Sequence, residues 1–292
     1  MKPSRELKPG ARVLVTGASG FLGQHLVERL RLCGLEVIEA SRRNGFRLLD
    51  DELALHGVEH VFHLAAETGV VNAWQDAASF HLINTHGTVR VLEQCLRAGC
   101  SLTYVGAYIY GAPRRLPIAE DDPVCANNPY AFSKWMGEEA CRWYAQTFDM
   151  AVTAIRLFNV YGRGQSPRFL IPRIVEQVLD PSVESIVLLD LEPRRDYLHV
   201  SDAIAALLAS LPKKGFQLFN VGSGRSWSVG EVVERIQRIA GTHKPVVDRG
   251  QKRPNEIPDT IADIKRIAEH CGWHPSLSLE QGIEEMVMGL RK

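Results

Sequence analysis

Tyr130 and Lys134, four residues apart in the segment YAFSK, are the side chains of this 292-residue chain best suited to moving a proton. On a helix that spacing puts phenol and ammonium on one face, one turn apart. A free phenol titrates at about 10 and exchanges protons poorly at neutral pH. A cation one turn away stabilises the phenolate and lowers that value, which suits general acid–base work beside a carbonyl. The helix is opened by Asn127, Asn128 and Pro129. A YxxxK segment recurs by chance in many chains, so its meaning depends on what surrounds it.

What surrounds it begins near the N-terminus. The apolar run RVLVT (12–16) leads straight into Gly17-Ala18-Ser19-Gly20-Phe21-Leu22-Gly23. Glycines at this spacing let the chain turn tightly and bring main-chain N–H groups, with a helix dipole, against a pyrophosphate. The position between a strand and a helix is the context that gives the motif meaning. Gly17, Ser19, Gly20, Phe21, Leu22 and Gly23 are therefore candidate dinucleotide contacts. The end of the second strand discriminates between dinucleotides. An acidic residue there receives the adenosine ribose hydroxyls of NAD. Here the position is Ser41, followed by Arg42 and Arg43. Nothing at this point repels a 2′-phosphate and two guanidinium groups can grip it, so the expected cofactor is NADP(H).

These residues need a scaffold, and the pattern supplies one. Strands are expected at 12–16, 36–40, 58–65, 101–105 and 152–157, alternating with helices at 21–33, 84–98 and 128–148. Such alternation predicts an α/β fold of Rossmann type, a doubly wound parallel sheet with ligands at the carboxyl ends of its strands. Beyond the Gly/Pro-rich stretch 161–167, helices are expected at 171–179, 201–210 and 229–240 and strands at 185–189 and 217–221, with two further helices after a loop around 253–258. The division expected is a dinucleotide-binding domain over 1–160 with 190–225 interleaved, and a smaller substrate lobe over 161–189 and 226–292.

Thirty-four Lys+Arg balance 34 Asp+Glu, so the chain lacks the basic excess that nucleic acid or an anionic membrane surface would call for. No apolar run approaches the roughly 18 residues of a membrane span, and 1–10 is polar, so a cytoplasmic location is expected. The six cysteines form no CxxC pair and the ten histidines no HExxH, so neither a disulfide framework nor a metal site is implied.

Further motifs follow in order: His63-Leu64-Ala65-Ala66, Asn84 within INTHGT, Tyr110-Gly111, Arg156-Leu-Phe-Asn159-Val-Tyr-Gly162, RDYLHV (195–200), FNVG (219–222) and RPNE (253–256). With TGASGFLG and YAFSK, this series resembles the extended short-chain dehydrogenases/reductases that act on nucleotide sugars, over nearly the whole chain. SRRN after the second strand, GQS, LEPRRDYLHVSD and RPNEIPDTIADIKRI resemble most the reductases of GDP-4-keto-6-deoxymannose. The resemblance implies that Leu64, Ala65, Ala66 and Leu157 line the cofactor. It implies that Thr68, Asn84, Asn159 and Arg168 meet the substrate, and that Arg195, Arg253 and Glu256 hold its nucleotide. The implied reaction is hydride transfer from NADPH to C4 of a 4-keto-6-deoxy sugar carried on a nucleoside diphosphate, GDP favoured. Tyr130 would protonate the new alkoxide while Lys134 lowers its pKa and binds the nicotinamide ribose. Helices 84–98 and 128–148, with Trp135, Trp143 and Tyr144, imply a homodimer through a four-helix bundle.

One departure stands out. The family places Ser or Thr five residues before the glycine of its (V/I)YG motif, to donate a hydrogen bond to the reacting oxygen. This chain has Gly106 there, with Tyr108 as a candidate substitute donor. Loss of such a donor raises a barrier by about 2.7–4 kcal/mol. Ala107 and Tyr108 stand where related dehydratases carry acids, which disfavours dehydration. Two other readings stay open: an NAD-dependent nucleotide-sugar 4-epimerase, and a non-catalytic nucleotide-sugar or NADP sensor. Restoring serine at 106 is the expected way to separate a crippled site from a compensated one.

Overall fold

The computed structural model describes residues 7–252 and 256–290. In chain order it contains β1 (Arg12–Thr16), α1 (Phe21–Leu32), β2 (Glu36–Ala40), β3 (Val58–His63), α2 (Val70–Gln75), α3 (Ala77–His81), a π-helical turn (Leu82–His86), α4 (Gly87–Ala98), β4 (Ser101–Val105), α5 (Pro129–Phe148) and β5 (Val152–Leu157). There follow β6 (Asn159–Tyr161), α6 (Leu170–Leu179), β7 (Ile186–Leu188), β8 (Arg194–His199), α7 (Val200–Ala209), β9 (Phe216–Val221), β10 (Ser226–Ser228), α8 (Val229–Ala240), β11 (Val246–Asp248), α9 (Lys265–Cys271) and α10 (Leu279–Leu290).

The central sheet is parallel throughout, in the order β2-β1-β3-β4-β5-β9. Strands buried on both faces read as continuous apolar runs, as RVLVT does. Val13 and Val15 of β1 point into a layer with Leu26 and Leu30 of α1 and Leu207 of α7, whereas Leu14 points to the other face, with Leu92 of α4 and Leu102 of β4. This is the doubly wound, Rossmann-type α/β fold expected from the alternation. The chain leaves β1 toward β2 on one side and then crosses to β3 on the other, so a crevice opens at the carboxyl ends of β1 and β3. A third apolar cluster, with Ile174 of α6, Val233 and Ile236 of α8 and Ile283 of α10, supports the remaining elements.

Several elements depart from the expected pattern. β3 ends at His63 rather than reaching residue 65, because Leu64 and Ala65 turn toward the crevice: Ala65 N–H donates to Thr16 Oγ1 at 3.2 Å instead of continuing the ladder. The helix expected from residue 84 is preceded by α2, α3 and the π turn, which hold too few residues for a helical period to show. The RDYLHV stretch is a strand, β8, in a separate three-stranded sheet of order β10-β8-β6, and β7 pairs with β11. Buried Asp196 of β8 accepts hydrogen bonds from the N–H groups of Ser223, Gly224 and Ala262 and from Ser223 Oγ, tying two separate segments to the strand.

α5 is fixed to the sheet by a buried ion pair. Arg156 of β5 donates from Nε and Nη2 to the two carboxylate oxygens of Glu138 at 2.9 and 2.6 Å. Its Nη1 donates to the Tyr110 hydroxyl at 2.7 Å and the Glu120 carbonyl at 3.0 Å, and Tyr110 donates onward to Asn220 Oδ1 of β9 at 2.6 Å. Both charged side chains are almost inaccessible to water. Removing one partner strands the other charge in the interior. Glu138→Ala is therefore expected to lower unfolding free energy by about 3–5 kcal/mol, read from denaturant midpoints against the native chain.

Candidate active site

The crevice is a cleft of about 1310 Å³ running from the glycine turn past Tyr130 to β7 and residue 251. That exceeds the roughly 300–1,000 Å³ of a single drug-sized ligand site and leaves room for two ligands end to end. Its floor is the glycine turn. Gly17 has φ +69°, and a Cβ there would lie 2.7 Å from Ala65 N; a Cβ at Gly23 would lie 2.2 Å from the Gly17 carbonyl oxygen. Both positions accept only glycine, and the resulting close approach opens the N-terminus of α1 to the cleft. Gly17, Ser19, Gly20, Phe21, Leu22, Gly23, Leu64, Ala65, Ala66 and Leu157 all line it, so the expected cofactor contacts converge there and fit a dinucleotide pyrophosphate.

At the end of β2 the structure changes the expectation. Residues 42–44 form a short 3₁₀ turn in which Ser41 is buried and its N–H donates to Asn44 Oδ1 at 2.9 Å. Ser41 and Arg42 line the cleft, but Arg43 faces a separate hollow of about 490 Å³ beside Ser19, Gln24 and Asn44. The two guanidiniums splay apart because consecutive residues of a tight turn point different ways. An acid is also present, contributed from another strand. Glu67, after β3, places Oε2 4.0 Å from Arg42 Nη1, with Arg42 87% exposed. The expectation of two unopposed arginines at one point is thus corrected: of Arg42 and Arg43 only Arg42 lines the cleft, and it faces a carboxylate. Sequence reasoning missed Glu67, since only tertiary folding brings it to β2.

Tyr130 sits in the first turn of α5, whose N-cap is Asn128, accepting from Ala131 N–H at 2.9 Å with Pro129 next. Phe80 meets the Tyr130 ring edge-on at 6.2 Å. Tyr130 and Lys134 both line the cleft. The expected lowering of the phenol is not what the structure shows. Burial pushes Tyr130 up to about 12, and burial drives Lys134 down to about 7. Among the described residues no hydrogen bond joins the two, so a low-dielectric setting favours the neutral form of each. The phenol is held protonated more firmly than a free phenol, beside an amine whose charge changes around neutrality.

Gly106 closes tightly on the neighbouring strand: its N–H donates to the Ile155 carbonyl at 2.7 Å, and a Cβ there would approach that oxygen to 2.9 Å. A serine does not enter without moving β4 from β5, so restoring it is not the clean test expected from sequence. Tyr108 lines the cleft, yet its hydroxyl donates to the Gly111 carbonyl at 2.5 Å, and its ring packs edge-on against Phe158 at 5.3 Å. Its proton is committed, which removes it as the substitute donor.

Of the expected substrate contacts, Thr68, Asn159, Arg168, Arg195 and Glu256 line the cleft. Arg195 is already engaged: Nη1 donates to the carbonyls of Arg194 and Ile257, and Nη2 pairs with Glu256. Asn84 does not reach the cleft. It is fully buried in the π turn, donating to the Glu67 carbonyl at 3.0 Å and Ser133 Oγ at 2.9 Å and accepting from Glu67 N–H at 2.8 Å. The extra residue of the π turn swings it inward, where it holds Glu67 in place. Arg253 lies outside the described residues. The far end of the cleft adds Arg173, Gln177, Asp190, Arg249 and Gln251, which no local motif marks. Tyr144 is buried in the core, while Trp143, Phe148, Phe132 and Met136 of α5 are exposed. Among the described residues no group of three or more His, Cys, Asp or Glu is placed to hold a metal ion, and no helix is long and apolar enough to cross a membrane.

A parallel sheet with a glycine turn that fits a pyrophosphate, beside Tyr130 and Lys134 in one cleft, defines a dinucleotide-binding α/β protein. Residues 13–222 match the NAD dependent epimerase/dehydratase family, and the chain belongs to that family. It is 31% identical to a UDP-glucose 4-epimerase of Azospirillum brasilense, covering 94% of each chain. It is 28% identical to a GDP-6-deoxy-D-mannose reductase of Pseudomonas aeruginosa, over 94% of this chain and 96% of the relative. Among solved structures, MoeE5 in complex with UDP-glucuronic acid and NAD superposes with a TM-score of 0.87 at 29% identity, covering 96% of this chain and 99% of the other. Similar solved structures include complexes with NAD and with NADPH.

Two outcomes follow from this geometry. Gly106→Ser is expected to cost about 1–3 kcal/mol of stability through overpacking and to give no gain in turnover, as measured by thermal unfolding and initial rates. Lys134→Met removes a buried amine that burial drives from the ordinary 10.5 of a lysine down to about 7. The unfolded chain then binds the extra proton between those values, so native stability rises with pH across that window. The variant is expected to melt higher than the native chain at pH 6, with the difference shrinking toward pH 10.

Proposed function

We propose that this protein reduces the C4 carbonyl of a nucleoside-diphosphate 4-keto-6-deoxy sugar, with NADPH as reductant. The observation that carries the proposal is the end of β2. Ser41 and Arg42 stand in the cleft where an NAD-binding chain of this fold carries an acid, and a 2′-phosphate finds a guanidinium there. A phosphorylated cofactor drawn from a reduced pool suits net reduction rather than a cycle that returns its hydride. Reduced nicotinamide supplies the hydride. The chain supplies the proton: the Tyr130 hydroxyl, kept protonated by burial, gives it to the oxygen that becomes an alkoxide at C4. Lys134 in its charged form stabilises the phenolate left behind. Thr68, Asn159 and Arg168 line the cleft where the sugar and diphosphate are to lie. In this reading 1–160 with 190–225 holds the cofactor and 161–189 with 226–292 the sugar nucleotide. The chain pairs as a homodimer through the exposed aromatic face of α5. The reductase of Pseudomonas aeruginosa supports the reaction class.

A second reading, UDP-sugar 4-epimerisation with retained NAD, is favoured by one specific feature. Glu67 already partners Arg42, which weakens its call on a 2′-phosphate. The epimerase relative and the complexes with UDP sugars point the same way, and they lend no support to a GDP preference. The proposal therefore specifies the diphosphate and the keto sugar, and its test covers GDP, UDP and dTDP forms.

The test measures NADPH oxidation with each 4-keto-6-deoxy nucleotide sugar and identifies any cofactor released on denaturing the purified protein. Consumption of NADPH by one of them is expected, with Tyr130→Phe slowing it about 10²-fold or more. NAD released stoichiometrically from protein that interconverts C4 epimers without added cofactor would overturn the proposal.

A further inference from the structure

The face of α5 that carries Lys134 rests on an aromatic side chain that proton transfer itself does not use. Tyr104, in β4, is fully buried, and its ring centre lies 4.3 Å from Lys134 Nζ. Its hydroxyl donates to the Lys134 carbonyl at 2.9 Å. One tyrosine therefore contacts both ends of residue 134, the main-chain oxygen and the side-chain amine. α5 makes room for it with a glycine one turn on, since a Cβ at Gly137 would lie 2.6 Å from the Tyr104 hydroxyl oxygen.

The other ionisable groups around Lys134 do not hold its amine. His63 of β3 is buried between the hydroxyls of Thr16 and Thr88, and burial drives it down to about 3, so it stays neutral. Glu138, on the next turn of α5, is occupied by Arg156 of β5. Cys141 is fully buried, and burial keeps its thiol protonated. Tyr130, one turn earlier, makes no hydrogen bond to Lys134 among the described residues. Nζ itself forms no hydrogen bond or ion pair among them, which leaves the aromatic face as its partner. An ammonium gains more from such a face when desolvated, as here.

We propose that Tyr104 is a positioning residue for Lys134: its ring face holds the ammonium where none of the surrounding polar groups bonds it, and its hydroxyl fixes the turn of α5 that carries it. This rests on the reading of Lys134 as half of the proton-transfer pair. The assignment also explains why the strand places a large aromatic where α5 must give up a side chain to admit it.

The experiment titrates Lys134 directly, by nuclear magnetic resonance of the full chain labelled in its lysine side chains, with the resonance assigned from Lys134→Met. No substrate or cofactor is needed. Tyr104→Phe, which keeps the face, is expected to titrate close to the native chain. Ring-fluorinated phenylalanine at 104, of similar size but with a depleted face, is expected to lower the midpoint by about half a pH unit or more. Tyr104→Leu should move it the same way, and the pH profile of turnover should follow. A native midpoint in both the fluorinated and the leucine proteins would overturn the proposal. Undiminished turnover by Lys134→Met would instead overturn the proton-transfer reading, an outcome separable because the titration does not depend on turnover.

Discussion

The pairing of Arg156 with Glu138 is the constraint on which the rest of the site depends. A carboxylate and a guanidinium shut away from water are tolerable only when each satisfies the other, and here the match is two-pronged. Because Arg156 also donates to Tyr110 and to the Glu120 carbonyl, and Tyr110 to Asn220, one charged group registers β5, β9, α5 and the segment after β4 against each other. Tyr130 and Lys134 lie on the helix so fixed. Their reach into the cleft is set by an electrostatic contact whose two residues do not themselves line it.

The two ends of the cleft work under opposite electrostatic conditions. Desolvation pushes both Tyr130 and Lys134 toward the uncharged form. A phenolate formed at Tyr130 is therefore costly unless Lys134 carries its charge. At the end of β2, by contrast, Arg42 is almost wholly exposed, and its contact with Glu67 is long and screened. Selection between cofactors at that end is therefore a contest of weak, water-softened interactions. The glycine cradle between the two ends is sterically defined, with no tolerance for a side chain at Gly17 or Gly23.

Much of this was legible in the sequence. The glycine turn, the alternation of strands and helices, and the YAFSK segment are local patterns, each written within a few consecutive residues, and all converge on one cleft. What misled were inferences that depended on where side chains point. Arg42 and Arg43 are adjacent, yet a 3₁₀ turn sends them to different hollows. Asn84 looked like a ligand contact, but the π turn carries it into the interior, where it fixes Glu67. Tyr108 looked like a spare donor, but its hydroxyl closes back on Gly111. Tyr104 carried no signal at all, since an aromatic in a buried strand reads as core.

The sequence by itself determined the class of fold, the glycine turn and the placing of Tyr130 and Lys134 one helical turn apart. Each follows from periodicity, from glycines where no side chain fits, or from spacing along a single helix. Only the tertiary structure decided the protonation state of that pair, the carboxylate set against Arg42 and the closed space at Gly106. Those depend on the dielectric and on contacts between strands far apart along the chain. Coulomb and desolvation energies are functions of distance in space, and no local run of residues encodes that distance.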